Sequence, residues 1–585
     1  MVLDTLQKFI NFINKLSFTK LMLFHHLASI LEQLEHTSSG NTMREILSSF
    51  LKKVAQEDID KVCHLTLGTI ASPYENVVLG MADQMVIRAI AAATSIKEET
   101  IKSDFKKYGD LGIIAEKEVK NKTSRLIVSQ VFNQLHAIAQ LSGTGSRDKK
   151  IQTLSSLIKS AVPIEAKYIT RIALGTLRIG VGEMTLIDSL AIAFTGDKKN
   201  KPLLEKAYNV CPDVGIIAKA VATKKLEGIR HISPAIGRPI KVMLAQRAKT
   251  MEEIQVRMPE GIVAEEKYDG ERIQIHKKKS KISFFSRRMD DITAQYPDLG
   301  EEIKKIERDF IAEGEIIPID KSGNLLDFQT LMQRRRKNDI AAFAQQIPVV
   351  IFFFDLLYQN NKNYLNEPYH KRQRALHQLF NEGKKLKFAR HIITKDINKV
   401  EKFFNECLKR GTEGIIAKNV NGVYQAGTRD YNWIKWKKEY AKELRDTFDL
   451  VVVGAFAGKG KRSSMYGALL CACYNKKNDT FETFCKLGSG FTDQQLEELP
   501  KLLKKYQSKS KPARLKVHAN MKPDVWFQPE LVVEVTGADT TRSPSHTAAE
   551  RDGKGLALRF PRFIQYRPDK KAEQATTSEE IRKMA

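Results

Sequence analysis

Cysteine is scarce in this chain of 585 residues, and no two of its six cysteines have the Cys-x-x-Cys spacing. They are Cys63, Cys211, Cys407, Cys471, Cys473 and Cys485. Such scattering argues against a zinc ribbon or a disulfide framework and favours a reducing compartment. No segment approaches the ~20 apolar residues that cross a membrane, and the first residues lack the cleavage site of a secretory signal. We therefore expect an intracellular protein with no membrane partner.

Acidic residues are also in short supply. Asp and Glu number 69 against 96 Lys and Arg, which gives a formal net charge of +27. This excess is more than solubility requires and suggests a polyanionic partner, with nucleic acid first. A proteome rich in lysine is the alternative explanation of the charge. With 42% hydrophobic residues, the chain is too apolar to be disordered, and its length predicts three or four domains.

Apolar residues recur at spacings of three and four along residues 1–232, in segments such as LFHHLASILEQLE and KTSRLIVSQVFNQLHAIAQL. This periodicity predicts an all-helical domain. Between its helices, GTGSRDKK at 143–150 is expected to be a loop that meets a phosphate through amides and bases, or an ordinary solvated loop. Prolines and glycines in HISPAIGRPIKV at 231–242 interrupt the helical period and predict a domain boundary.

Short apolar runs bounded by turn residues follow this boundary. GIVAEEKY, RIQIHK, KISFFSR, FIAEGEIIPI, VVIFFFDLLY and GIIAK, separated by helical stretches, predict an α+β domain over 233–443. Over 444–585 the helical stretches thin out, and DLVVVGAFAG, GALLCACY and PELVVEVTGA alternate with turns, which predicts a small β-barrel. Near its end Thr577 and Glu580 have the spacing of a capping box, which predicts a short terminal helix.

The segment EEKYDGER at 265–272 carries the first candidate chemistry. It places Lys267 at a strand end, followed by Asp269, Gly270 and Arg272 in a turn. Partial burial disfavours the charged form of a lysine, and the neutral amine is a nucleophile. The pattern Lys-x-Asp-Gly is weak evidence alone, and its weight comes from the motifs that follow it.

Further motifs occur downstream in a fixed order. They are FFSRR with Arg287, AEGEII with Glu315, FFFDLLY with Phe354, EGIIAK with Glu413 and Lys418, GTRDYNWIKWKKEY with Arg429, Lys435 and Lys437, and RFPRFIQYRPDK with Arg559, Arg562, Arg567 and Lys570. In this order they resemble the motifs of the ATP-dependent DNA ligases of archaea and the replicative ligases of eukaryotes, within the covalent nucleotidyltransferase superfamily.

The resemblance covers nearly the whole chain. EAKYITRIALGTLRIGVGE at 165–183 resembles the helical DNA-binding domain of these ligases, and KLGSGFTDQQLEEL resembles part of their C-terminal domain. The resemblance therefore implies an all-α DNA-binding domain, an α+β adenylation domain and a C-terminal OB-fold β-barrel. Two features depart from the family pattern. Glu313 stands where aspartate is common, and residues 1–21 look like an extension or the result of a misplaced start codon.

The resemblance implies a role for each motif residue. Lys267 is the nucleophile that becomes adenylated. The implied ATP contacts are Glu265, Arg272, Arg287, Glu315, Phe354, Lys418, Arg429, Lys435 and Lys437. Among them Phe354 is the stacking position for adenine, and Glu265 lies near the adenine amino group. By strand alternation Lys435 and Lys437 share one face toward the α-phosphate, while Trp436 packs on the other.

A metal and a pyrophosphate contact are also implied. Glu315 and Glu413, expected at strand ends, are the implied ligands of Mg²⁺, with Mn²⁺ as an alternative metal. Glu315 could share this role with a contact to the ribose. Arg567 and Lys570 are implied to orient pyrophosphate in the first step. His276 alternates with Ile275 and is read as a polar strand face with no assigned role.

The implied activity is the sealing of nicks in double-stranded DNA during replication, repair and recombination. It proceeds through a lysyl-adenylate, an adenylated 5′-phosphate and attack by the 3′-hydroxyl. The partner is a nicked duplex bound mainly through phosphates, without sequence preference and with steep salt sensitivity. The protein is expected to act as a monomer in the cytoplasm or nucleoid, and a sliding-clamp contact stays open. The barrel is implied to close over the nucleotide about a hinge near 438–450.

Three alternative functions remain. RNA ligases and mRNA capping enzymes share the Lys-x-Asp-Gly chemistry, but the helical first part argues against them. An NAD-dependent ligase is disfavoured because the chain has no cysteine cluster. A DNA-binding scaffold with a decayed catalytic core predicts loss of at least one of Lys267, Glu315, Glu413 or Lys435, and all four are present. The choice among ATP, ADP, GTP and NAD⁺ stays open.

Overall fold

The computed structural model describes residues 22–248, 250–334, 344–437, 447–458, 465–537 and 539–584. The chain divides into two compact units, Met1–Lys437 and Lys438–Ala585. The predicted extension at 1–21, the boundary at 443/444 and most of the predicted hinge lie outside the described residues. Within the described part, no helix combines the length and the apolar character that a membrane crossing requires.

The first part of the chain is helical, as its periodicity predicts. Its helices are α1 (Phe24–Glu35), α2 (Gly40–Leu51), α3 (Ile59–Thr66), α4 (Asp83–Thr94), α5 (Glu98–Tyr108), α6 (Leu111–Glu118), α7 (Val128–Gln140), α8 (Ser146–Ser160), α9 (Pro163–Ala173), α10 (Glu183–Thr195), α11 (Lys201–Val210) and α12 (Val214–Arg230). Helix α1 shows why this periodicity produces helices: Phe24, Leu27, Leu31 and Leu34 form one buried stripe that packs in the helical core.

The loop predicted at 143–150 is shorter than expected. Helix α8 begins at Ser146, so the Ser-Arg-Asp-Lys half of that segment forms its first turns. Gly145, with φ of 78°, occupies the left-handed position that precedes the helix. Only the half that contains the glycines is a loop, because glycine readily adopts the positive φ found at Gly145.

The middle of the chain holds two sheets flanked by helices. Its elements are β1 (Leu244–Arg247), α13 (Met251–Arg257), β2 (Ile262–Lys267), β3 (Glu271–Lys278), β4 (Lys281–Ser286), α14 (Pro297–Lys304), β5 (Phe310–Pro318), α15 (Phe328–Gln333), β6 (Val349–Gln359), β7 (Lys362–Asn363), α16 (Tyr369–His377), β8 (Leu386–Phe388), β9 (His391–Thr394), α17 (Ile397–Lys409), β10 (Gly414–Asn419) and β11 (Arg429–Lys437). One sheet has the order β1-β11-β10-β2-β9, and the other has the order β4-β3-β5-β6-β7 with β8 beside β6. The α+β prediction is confirmed.

A short segment between α12 and β1, residues 237–243, is bound along β3, and we call it the linker strap. Gly237 N–H donates to His276 Nδ1 at 2.9 Å. Ile240 N–H donates to Gln274 Oε1 at 2.7 Å, and Ile240 O accepts from Gln274 Nε2 at 3.1 Å. His276 is therefore buried rather than part of an exposed polar face, and burial lowers its pKa to about 3.

The second unit is rich in strands. Its elements are β12 (Thr447–Ala457), β13 (Tyr466–Asn475), β14 (Thr480–Leu487), α18 (Asp493–Leu503), β15 (Gln507–Ser508), β16 (Leu515–Lys516), β17 (Val525–Phe527), β18 (Val532–Thr536), β19 (Asp539–Ser543), β20 (Ala548–Arg551), β21 (Lys554–Arg559), β22 (Arg562–Tyr566) and α19 (Ser578–Met584). The predicted capping box is confirmed, since Thr577 N–H donates to Glu580 Oε2 at 2.7 Å and Glu580 N–H donates to Thr577 Oγ1 at 3.2 Å.

Candidate active site

The register of three neighbouring strands gathers five of the predicted site residues on one face of a sheet. Lys267 of β2 is aligned with Gly414 of β10, which is aligned with Lys437 of β11. The next row on this face aligns Glu265, Ile416 and Lys435, and the row after it aligns Val263, Lys418 and Trp433. Because side chains alternate along strands, these positions all face the same side. As predicted, Trp436 lies on the other face, where it is buried against Phe404.

Lys267 and Lys437 share one carboxylate. The Nζ atoms of both lysines lie 2.6 Å from Glu413 Oε2. Glu413 directly precedes β10, and its N–H donates to the carbonyl oxygen of Lys267 at 3.0 Å. Burial raises the pKa of Glu413, but Lys267 and Lys437 outweigh this effect and hold it below the usual value. The site therefore holds a charged carboxylate between two cations.

Two further acidic residues lie near this group. Burial raises the pKa of Glu315 to about 7, against the opposing effect of Lys267 and Arg272. Partial desolvation and then the neighbouring Glu413 raise the pKa of Asp269. The expectation that Glu315 ends a strand is wrong, because FIAEGEIIP continues as β5 on both sides of it. Among the described residues, no three His, Cys, Asp or Glu side chains form a ready set of metal ligands.

Basic residues form a second feature of the site. Burial lowers the pKa of Lys435, and the charges of Lys437, Arg429, Lys267 and Arg287 lower it further. The predicted phosphate contacts are therefore close enough to repel one another. Arg287 and Arg429 are exposed, whereas Lys435 and Lys437 are partly covered. Such a cluster is unfavourable by itself and favours the binding of an anion.

A buried ion pair lies among aromatic rings farther along the same face. Lys418 Nζ is 2.7 Å from Glu265 Oε1, and the two side chains are 1% and 5% exposed. Lys418 Nζ also donates to the carbonyl oxygen of Phe354 at 3.2 Å. The Tyr369 hydroxyl lies 3.0 Å from Glu265 Oε2. Lys418 Nζ is 4.7 Å from the centre of the Phe354 ring and 4.6 Å from that of Trp433.

A β-bulge determines the position of Phe354. In the pairing of β5 with β6, Glu313 is aligned with Asp355 and the next residue, Gly314, with Phe353. Phe354 is thus the extra residue of the bulge, and its ring meets Trp433 edge to face at 6.0 Å. Bulges are common beside active sites because they redirect a side chain out of the regular alternation.

Arg272 connects these aromatic rings to the linker strap. Its Nη2 atom donates to Glu313 Oε2 and its Nη1 atom to the carbonyl oxygen of Met243, both at 2.8 Å. Tyr424 donates its hydroxyl to the same Glu313 oxygen at 3.0 Å and accepts from Met243 N–H at 3.0 Å. Glu313, the departure from the family pattern, is therefore a buried anchor for Arg272.

Gly270 of the nucleophile motif is required by close packing. A Cβ atom there would lie 2.3 Å from Ile316 O and 3.0 Å from Glu315 Cγ, so β5 would have to move. Because a displacement of about 1 Å can cost about 100-fold in rate, we expect Gly270→Ala to slow self-adenylation by about that factor. Single-turnover transfer of label from ATP to the protein measures this rate.

The control for this prediction is Gly300→Ala in α14. No atom lies within 4 Å of a Cβ built at Gly300, so adenylation should be unchanged. Alanine should also stabilise the helix by about 0.5–1 kcal/mol. Equal rates for Gly270→Ala and the wild type would refute the packing argument.

The predicted pyrophosphate residues belong to the second unit. Arg567 Nη1 lies 2.9 Å from Asp449 Oδ1, and Lys570 Nζ lies 2.6 Å from Asp449 Oδ2. Arg559 and Arg562, the other basic residues of this motif, are exposed at the end of β21 and the start of β22.

Several residues of the site have no role assigned by a sequence motif. They are Tyr369, Trp433, Tyr424 and Asp449. Alternation along β11 could have indicated Trp433, since it shares a face with Lys435 and Lys437. No local pattern marks the two tyrosines or Asp449, which reach their partners only through the fold.

Three parts of the chain match known protein families. Residues 23–191 match the family described as "DNA ligase N terminus", 242–437 match "ATP dependent DNA ligase domain", and 462–570 match "ATP dependent DNA ligase C terminal region".

Curated relatives match over nearly their whole length. DNA ligase 1 of Methanosarcina acetivorans is 42% identical over 571 residues, which cover 96% of this chain and 98% of that protein. The DNA ligase of Sulfolobus acidocaldarius is 40% identical over 585 residues, with 96% and 98% covered. A solved structure named Pmar-Lig_Pre. is similar in fold, with a TM-score of 0.55 and 18% identity over 93% of this chain and 99% of that one. The chain therefore belongs to the ATP-dependent DNA ligase family, and it is an enzyme that seals nicks in DNA.

Proposed function

We propose that this DNA ligase seals a nick through three phosphoryl transfers, with Lys267 as the nucleophile of the first. Lys267 Nζ attacks the α-phosphate of ATP, pyrophosphate leaves, and a lysyl-adenylate forms. The 5′-phosphate of the nick then takes AMP from Lys267. The 3′-hydroxyl finally attacks this phosphate and displaces AMP. The observation that carries this proposal is the shared face of Lys267, Glu265, Lys418 and Lys437 on neighbouring strands.

The cations around Lys267 are proposed to bind the phosphates. Negative charge on the nonbridging phosphate oxygens must be stabilised during each transfer. Fixed cations in a partly desolvated site stabilise it well. Lys435 and Lys437 would hold the α-phosphate, and Arg287 and Arg429 the more exposed phosphate oxygens. Burial, and then the charges of the neighbouring cations, lower the pKa of Lys435, and bound phosphate would offset that repulsion.

The aromatic rings around Lys418 are proposed to bind adenosine. Phe354 would stack on the base, and the Glu265–Lys418 pair would present a polar edge beside it. Arg272, fixed by Glu313 and Met243, would contact the nucleotide from the opposite sheet.

Glu315 and Glu413 fit a bound Mg²⁺. They supply hard carboxylate oxygens, and Mg²⁺ usually binds through one or two carboxylates plus substrate phosphates rather than through a complete protein cage. Mn²⁺ accepts similar ligands. The metal would supply positive charge at the phosphate oxygens.

The domain organisation is part of the proposal. Residues 1–232 would bind DNA, 233–443 would carry adenylation, and 444–585 would form an OB-fold barrel that supplies Arg567 and Lys570 to orient pyrophosphate. Lysine- and arginine-rich surfaces would hold a nicked duplex through its phosphates inside the cell, with the enzyme acting as a monomer and a sliding clamp as a candidate partner. The net charge of +27 supports a polyanionic substrate.

The test of this proposal follows labelled AMP. The purified protein is incubated with Mg²⁺ and ATP labelled at the α-phosphate, and then with a singly nicked duplex. We expect acid-labile label on the protein that nicked DNA chases into AMP as the strand is sealed. Label that leaves only for nicked RNA or for an RNA 5′-diphosphate end would instead favour an RNA ligase or a capping enzyme. An absence of label after removal of bound adenylate with pyrophosphate would refute the proposal.

A further inference from the structure

One carboxylate of the second unit holds both residues proposed to orient pyrophosphate. Asp449 lies in β12, and its two oxygens contact Arg567 Nη1 at 2.9 Å and Lys570 Nζ at 2.6 Å. The Asp449 side chain is 15% exposed, against 23% for Arg567 and 31% for Lys570. The acid is therefore the covered member of the group, and the two cations are nearer the solvent.

The backbone around Asp449 is fixed as well. Its N–H donates to Thr576 Oγ1 at 2.9 Å, and its carbonyl oxygen accepts from Thr576 N–H at 2.8 Å. Arg567 N–H donates to the carbonyl oxygen of Val532 at 2.9 Å. The carboxylate is thus attached to a paired strand, whereas the long side chains of Arg567 and Lys570 have many rotamers of their own.

Arg567 is held on a second edge. Its Nε and Nη2 atoms donate to Asp569 at 3.0 and 2.8 Å, which leaves Nη1 for Asp449. Two carboxylates therefore set the plane of the guanidinium, and only Asp449 also binds Lys570. Bidentate and charge-assisted hydrogen bonds of this kind fix orientation more strongly than neutral ones.

We propose that Asp449 is a positioning residue for the adenylation step, which holds Arg567 and Lys570 side by side so that both meet the pyrophosphate together. This inference rests on the proposed role of the two cations. Without the carboxylate, two like charges on flexible side chains would separate, and their ordering would have to occur during ATP binding or catalysis. Asp449 itself would touch neither ATP nor DNA.

The test separates the partial reactions of the full-length enzyme. Asp449→Asn keeps the shape of the side chain and removes its charge. We expect single-turnover adenylation by labelled ATP to slow by about 10- to 100-fold. Joining of a nick that already carries a 5′-adenylate should stay within about twofold of the wild type, because no pyrophosphate takes part in that step. Asp449→Glu should recover part of the lost adenylation rate.

Glu534→Gln is the matched control. Glu534 lies directly opposite Asp449 on β18 and accepts a hydrogen bond from Gln565. This hydrogen bond, and to a smaller extent the charges of Arg567 and Lys570, lower the pKa of Glu534. This change removes the same charge near the same cations without breaking a contact to them. If Glu534→Gln is adenylated within about twofold of the wild-type rate, Asp449 acts through its direct contacts with Arg567 and Lys570 and not merely through its negative charge.

Three results would overturn the inference. Adenylation by Asp449→Asn at or above the wild-type rate would mean that the carboxylate shields the cations instead of placing them. Equal loss of adenylation and of joining, with a lower Tm, would mean a purely structural role. Normal adenylation by Arg567→Ala would remove the proposed role of the cations itself, whereas slow adenylation by Arg567→Ala with normal Asp449→Asn would refute only the inference about Asp449.

Discussion

Lys267→Ala is expected to abolish labelling of the protein by ATP and to reduce nick sealing on the order of 10⁴-fold or more. Loss of a catalytic nucleophile has effects of this size because no other group can form the covalent intermediate. Lys437 offers a matched substitution, since the Nζ atoms of both lysines lie 2.6 Å from the same Glu413 oxygen. Lys437→Ala should adenylate slowly but still carry label.

A pre-adenylated nick distinguishes lost chemistry from lost folding. Lys267→Ala should still join a nick that carries a 5′-adenylate, within about tenfold of the wild type, because the amine has already transferred AMP before that step. Lys278→Ala, at the exposed end of β3, is the surface control and should adenylate normally. Label on Lys267→Ala protein, found at another lysine, would contradict the assignment.

Lys418→Met is expected to lower the free energy of unfolding of the first unit by about 3–5 kcal/mol and to weaken ATP binding. The substitution leaves the 5% exposed Glu265 carboxylate without its cation, and a buried charge without a partner is costly. Burial already raises the pKa of Glu265 and lowers that of Lys418, so each group depends on the other for its charge.

Urea unfolding followed by tryptophan fluorescence measures this effect. The three tryptophans of the chain include Trp433 and Trp436 beside the site, so a Trp526→Phe background makes the signal specific for the first unit. The double variant Glu265→Leu/Lys418→Met should recover much of the lost stability, since it buries no unpaired charge. If the double variant is no more stable than Lys418→Met, the cost arises from packing rather than from charge.

Periodicity and ordered motifs predicted most of the architecture. The helical first part, the strands from GIVAEEKY to GIIAK and the strand-rich last part all occur as expected, because each depends on local alternation or helical spacing. The shared face of Lys435 and Lys437 followed from the same rule. These features need no knowledge of distant contacts.

Features that depend on distant contacts cannot be predicted from local patterns. Phe354 owes its position to a bulge opposite Glu313 and Gly314, and nothing in FFFDLLY marks which phenylalanine is the extra residue. Alternation with Ile275 predicts a polar strand face for His276, yet His276 is buried under the linker strap. Cys471 and Cys485, scattered in sequence, are directly opposed in the core of the second unit. Each case requires the register of two separate segments.

The linker strap has a consequence for the exchange of modules between ligases. Arg272, Gln274 and His276, at alternate positions of β3, bind the main chain of Met243, Ile240 and Gly237 in turn. A one-residue insertion at the start of β3, before Arg272, would turn all three of these side chains to the opposite face. A chimaera that exchanges the helical part should therefore be joined before Gly237. The linker strap and β3, which binds it, then come from the same parent protein.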